Sequence, residues 1–224
     1  MTRRALVAGS ALVVFVCGCS SSSPKTAPTT TAKPSASTTS RPATTSSSSP
    51  KPPTSFPGPA LESLVLKDAP SGYPRRADSL ADTGPTRLEK AALEDPLNDL
   101  NDARQTLRAA GFLRGYQRQW STGDTIGQNF IFLYQFATRA GALAYVAHWR
   151  TAVIADASGT PPVPFTSLVP GAIGLQSKSD RASSGVVLFA KGVYAVQAVA
   201  TGGPGRDPRP PTNSLAFAQY ALLP

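Results

Sequence analysis

The amino-acid sequence predicts an α+β domain: an antiparallel sheet of about five strands with helices packed on it. Periodic segments run in the order α, β, β, α, β, β, β, α. Short turn-like stretches join the neighbouring strands, and no regular βαβ alternation occurs. The chain has 224 residues, of which 41% are hydrophobic and 16% charged. That balance suits a globular protein and excludes one that spans a membrane many times. No repeat recurs at a fixed period.

The composition is uneven, and this sets the domain limits. Residues 20–59 hold 12 Ser, 9 Thr and 9 Pro, with no acidic residue and only Phe56 as an aromatic. Such a stretch cannot bury enough apolar surface to offset its ordering entropy. It is expected to be a disordered, extended stalk. The remainder, residues 60–224, has the size of one ordinary domain. The net charge of +9 also divides. Residues 1–59 contribute six basic and no acidic side chains, which leaves +3 for the domain. A nucleic-acid binder concentrates its positive charge on the folded module, so no nucleic-acid partner is expected.

Within the domain, Leu64–Leu66 reads as a short strand or simply as the entry to the fold. Residues 85–94 have helical composition. A helix is expected over 96–110, with Asp95 as N-cap, Pro96 at N1 and Gly111 just past its end. Its apolar stripe is Leu97, Leu100, Ala103, Leu107 and Ala110. Residues 112–121 alternate, placing Phe112, Arg114, Tyr116, Arg118 and Trp120 on one face. Residues 127–137 also alternate, with Phe130, Phe132, Tyr134 and Phe136 on one face and Ile131, Leu133 and Ala137 on the other. Both of its faces are apolar, as in a central strand covered on both sides. Thr138 caps a helix to about Ala157 whose buried face is expected to be Ala142, Val146, Trp149 and Val153, flanked by Leu143, Ala147 and Ile154. Strands follow over 172–177, 185–191 and 193–201, the last two joined by a turn at Lys191-Gly192. Gly202–Pro211 is a surface loop, and Thr212 or Asn213 caps a last short helix.

The N-terminus carries address information. Arg3 and Arg4 precede the apolar run Ala5–Val16, which is too short to span a bilayer and fits a signal peptide. Val16-Cys17-Gly18-Cys19 resembles the bacterial lipoprotein signal. That resemblance implies cleavage after Gly18 and a diacylglycerol thioether on Cys19. The expected divisions are therefore a signal peptide at 1–18, an acylated Cys19 with its linker to 59, and the domain from 60. Thr2–Val7 also looks like a twin-arginine motif, with ordinary Sec export as the alternative. Only two Cys occur; one leaves with the leader and the other is acylated, so no disulfide or thiolate metal site is expected. Leader, stalk, strand order and the Ala- and Arg-rich usage together resemble small actinobacterial cell-envelope lipoproteins. Some of these have a Mog1/PsbP-like α/β/α sandwich, and many have no assigned activity.

Catalytic chemistry finds little footing in the residues. His148 is the only histidine, reads as a surface residue, and has no Gly-x-Ser-x-Gly nucleophile to serve. Asp95, Asp99 and Asp102 read as a solvated face at a helix N-terminus. Gly202–Arg206 reads as a plain loop, because Pro204 removes a donor that a phosphate cradle would need. No cofactor and no metal site is expected. The aromatic residues hold more interest. Arg114, Tyr116, Arg118 and Trp120 could grip an anionic headgroup or a sugar, or form an exposed face whose Arg stems cover the rings. Phe132, Tyr134 and Trp149 could line an apolar cavity, or pack as core. The expected function is a non-enzymatic, membrane-anchored envelope lipoprotein that binds a ligand or partner. A lipid or glycolipid carrier and a pure scaffold are the alternatives.

Overall fold

A computed structural model describes residues 59–78, 83–95, 99–123, 126–155 and 161–224. The signal peptide, Cys19, the stalk and Pro96 lie outside the described residues. Among the described residues, seven antiparallel strands form one sheet. They are β1 (Gly84–Thr86), β2 (Phe112–Ser121), β3 (Gln128–Phe136), β4 (Val163–Phe165), β5 (Ile173–Lys178), β6 (Ser183–Lys191) and β7 (Tyr194–Gly202). Their spatial order is β1-β2-β3-β7-β6-β5-β4. Helices α1 (Leu88–Leu93), α2 (Leu100–Ala109), α3 (Arg139–Ala155) and α4 (Arg209–Leu222) complete the domain.

Five strands were expected and seven occur. The two extra ones, β1 and β4, lie at the two edges, have three residues each, and contain Pro85 and Pro164. Proline lacks the ladder N–H, so it is tolerated at an edge and masks a strand in the sequence. Leu64–Leu66 is not a strand: a single 3-10 turn (Leu61–Leu64) leads into an extended entry segment. The 85–94 stretch divides between β1 and α1.

The sheet buries both faces. Ile131, Leu133, Val187, Phe189, Val196 and Ala198 point to one face, where Leu61, Leu64 and Val65 of the entry segment and Leu215 and Ala216 of α4 cover them. Phe130, Phe132, Tyr134, Phe136, Val186 and Leu188 point to the other. There Ala91 and Ala92 of α1, Ala103 and Leu107 of α2, and Tyr145, Val146 and Trp149 of α3 cover them. The two apolar faces read from β3 are thus both in the core, in an α+β sandwich of three layers.

Helix ends follow local chemistry. Asp99, not Asp95, caps α2: its carboxylate accepts from the N–H groups of Asn101 and Asp102 at 2.9 and 3.1 Å, satisfying donors that a first turn leaves open. Gly111 follows with φ of 76°, the left-handed position that ends a helix. Thr138 caps α3 as expected, its Oγ1 accepting from Gly141 N at 3.0 Å. The last helix starts earlier than Thr212, at Arg209. Pro210 and Pro211 sit in its first turn, where a missing N–H costs nothing.

Candidate functional site

The strand face predicted to carry Arg114, Tyr116, Arg118 and Trp120 is not exposed. Arg118 is 2% and Trp120 0% accessible, because the entry segment runs along β2 beneath them. The four side chains are brought together, and the polar groups of Arg114, Arg118 and Trp120 hold that segment, while the Tyr116 phenol donates to Asp78 and accepts from Arg118. Arg114 Nη2 donates to Pro59 O at 3.0 Å and its Nε to Gln135 Oε1 at 2.7 Å. Arg118 Nη1 donates to the carbonyls of Val65 and Leu66 at 3.0 and 2.8 Å. Trp120 Nε1 donates to Lys67 O at 3.2 Å. From the other side, Gln219 of α4 accepts from Leu66 N and donates to Leu64 O. Burial, then its bond to Asp78, raises the Tyr116 phenol above its usual range. Phe112 is not on this face. The pairing slips between Phe112 and Arg114, and such a bulge turns a side chain across the sheet. The Phe112 ring packs edge-on against Tyr134 and Phe136 instead.

On the opposite face, Tyr134 and Trp149 meet with ring centroids 5.2 Å apart, and Tyr145 lies 4.7 Å from Trp149 and 5.3 Å from Phe136. These rings fill the layer between sheet and α3. Phe132 stacks on Phe130.

A polar constellation crosses that aromatic layer, and the sequence reading did not assemble it. Asp95 follows α1 and is buried. Its Oδ2 accepts from Tyr145 Oη at 3.0 Å and lies 2.8 Å from His148 Nε2. The His148 ring stacks on Tyr145 with 5.4 Å between centroids. His148 is therefore not a lone surface histidine, and Asp95 is not part of a solvated helical face. Beside them Tyr134 Oη donates to Glu94 Oε2 and accepts from Gln117 Nε2, both at 3.3 Å. Burial pushes the Tyr134 and Tyr145 phenols well above their ordinary range. The carboxylates of Glu94 and Asp95 push in the same direction. The available signal was local: Tyr145 and His148 lie three apart on a helix, hence on one side of it.

A carboxylate bonded to an imidazole is the orienting half of a general-base arrangement. Here the imidazole stacks on Tyr145, and the neighbouring hydroxyl, Thr151 Oγ1, donates to the backbone of its own helix at Ala147. The arrangement ties α3 to the α1–α2 junction. Among the described residues no group of three or more His, Cys, Asp and Glu could hold a metal ion. Among them, too, no helix is long and apolar enough to cross a membrane.

The outward side of α3 is unusual for a surface helix. Ala140, Leu143, Ala144, Ala147, Thr151 and Ile154 are all exposed, with Leu143 at 49% and Ile154 at 41%, and the charged Arg139 and Arg150 are exposed on the same side. Leu143, Ala147 and Ile154 therefore do not join the buried face as expected, because they lie on the side of the helix turned away from the sheet. The opposite side buries Ala142, Tyr145, Val146, Trp149, Ala152 and Val153. A surface helix ordinarily confines its apolar residues to one stripe. α2 does so, with Asn101, Asp102, Gln105 and Arg108 outward.

No family model matches the chain, and no curated protein matches it. Among solved structures, the extracellular domain of PknH from Mycobacterium tuberculosis is similar at 10% identity and a TM-score of 0.37, over 70% of this chain and 78% of that one.

Proposed function

We propose that this protein is a lipoprotein anchored through Cys19 on the outer side of the cell membrane. Its domain is a non-enzymatic binding module that docks an envelope protein. The observation that carries the docking is the exposed apolar group Leu143, Ala147 and Ile154 on the outward side of α3. Exposed apolar side chains gathered on one side of a helix mark interaction surfaces, and here they flank the exposed Arg150. The Arg114–Trp120 face and the Tyr134/Trp149 layer have internal partners, so the docking residues are Leu143, Ala147 and Ile154.

Anchoring rests on the Val16–Cys19 motif, and the Ser/Thr/Pro segment supplies reach. A polyproline-like chain extends about 3.1 Å per residue, so residues 20–59 span on the order of 120 Å when extended. Replacing Cys19 with Ser is expected to move the protein from the membrane to the soluble fraction, because two acyl chains are what makes such an anchor stable.

The docking reading is tested with Leu143→Glu and Ile154→Glu. Both side chains project into solvent, so the melting temperature should change by about 2 °C or less. Co-purification of a defined partner with the membrane-extracted protein should be lost. A partner retained by both variants would refute the assignment of this face.

A further inference from the structure

A second surface lies at one end of the sheet. Arg114, at the start of β2, holds Pro59, so the chain enters the domain at the end formed by Phe112, Phe136 and Tyr194. The opposite end is built from turns. Lys178 pairs with Ser183, and Ser183 with Gly202, so three neighbouring strands finish in one row about 10 Å wide. The β5–β6 turn is closed by Ser179 N donating to Ala182 O at 2.8 Å. The β7–α4 loop folds back through a turn in which Arg206 N donates to Gly203 O at 3.2 Å, with Gly205 at φ of 74°. Pro204 followed by a left-handed Gly is the signature of a type II turn, and this turn places Arg206 over the strand ends. A Cβ on Gly202 would lie 3.4 Å from Arg206 Cβ, and one on Gly203 would lie 3.7 Å from Ile126 Cγ2.

The charges here are unevenly matched. Arg209 is taken by Asp207 through two bonds of 2.7 and 2.9 Å. This pairing pulls the Asp207 carboxyl down to about 2, with a small further lowering by the charge of Lys178. Lys178, Arg181 and Arg206 are exposed and have no ion-pair partner among the described residues, while Asp180 lies between two of them. Ile126, 42% accessible, adds an apolar side chain to the same row of turns.

From this placement we infer that the turn end carrying Lys178, Arg181, Arg206 and Ile126 is a docking surface for an acidic polypeptide segment that also bears aliphatic side chains. The three cations supply charge complementarity to carboxylates, and the guanidinium forks suit bidentate contact. Ile126 favours a partner with apolar side chains. The interspersed Asp180, which has no ion pair among the described residues, would repel a uniformly charged polyanion, whereas separated carboxylates on a peptide can avoid it. Loops at the end of a rigid sheet are common places for recognition. This surface shares no residue with the outward side of α3.

The test uses the full chain in detergent and three labelled probes at low salt: a Glu/Leu peptide, a Glu/Ser peptide of equal charge, and polyphosphate. The Glu/Leu peptide is expected to bind at least tenfold more tightly than the other two, and to weaken as salt rises. The combined variant Lys178→Gln, Arg181→Gln, Arg206→Gln should lose at least tenfold in affinity for it, and Ile126→Ser several-fold, with unchanged melting temperatures. Leu143→Glu should leave this binding intact, which separates it from docking on α3. Equal or tighter binding of polyphosphate, indifference to Ile126→Ser, no binding of the Glu/Leu peptide, or binding unaffected by the triple variant would each overturn the assignment.

Discussion

Asp95 accepts from two donors on α3, and Arg118 donates to two carbonyls of the entry segment. Each is a buried ionisable side chain whose removal strands several polar groups at once. Unsatisfied buried groups cost about 1–3 kcal/mol each. Asp95→Leu and Arg118→Leu should therefore each lower stability by about 2–4 kcal/mol, read from urea midpoints at constant slope. Tyr145→Phe removes one bond and keeps the ring, so about 1 kcal/mol is expected. The phenols also set a pH limit. Tyr134 and Tyr145 have raised values in the folded state. Above about pH 10 the unfolded chain loses phenolic protons that the folded chain retains. Stability should be intact below that pH and fall above it, with the phenolate absorbance of these two residues appearing only on unfolding. Little of this was legible beforehand. Periodicity places Asp95 before a helix and His148 on one, but only tertiary packing brings residues 53 apart to 2.8 Å.

Among elements, the long ones could be read and the short ones could not. β2, β3, β6, β7, α2 and α3 carry enough periodic positions to declare themselves. β1 and β4 do not, and each is disguised by a proline. The bulge in β2 likewise leaves no mark in the alternation, yet it moves Phe112 to the opposite layer. Helix α3 starts against the end of α2. A Cβ at Gly141 would run into the carbonyl oxygen of Ala110 and approach Thr138 Oγ1. Backbone cannot yield as a flexible side chain does. Gly141→Ala should destabilise by about 1–3 kcal/mol, although alanine is otherwise the better helix former. A neutral or stabilising result in a thermal melt would show that the α2–α3 contact is looser than described.

For the molecule as a whole, the entry segment is part of the fold rather than the end of a tether. Leu61, Leu64 and Val65 are buried against one face of the sheet. Removing them exposes that face, and at about 1.5–3 kcal/mol per side chain the loss approaches the whole stability of an ordinary domain. A chain beginning at residue 60 should unfold cooperatively, whereas one beginning at residue 72 should not. The α+β class was legible in the sequence, because periodicity carries that property. The sequence placed the Arg and Trp side chains of β2 on one face but could not show what covers that face. The cover comes from a segment some 50 residues away whose own pattern is unremarkable.

The most direct test of the docking reading is site-specific photocrosslinking in intact membranes. A photoreactive residue is placed at Ala147, at the middle of the outward side of α3, or at Arg108 on the outward side of α2. The account predicts a discrete protein adduct from Ala147, none from Arg108, and loss of the adduct when Leu143→Glu is added. An adduct from Arg108 but not from Ala147, or no adduct from either, would contradict it.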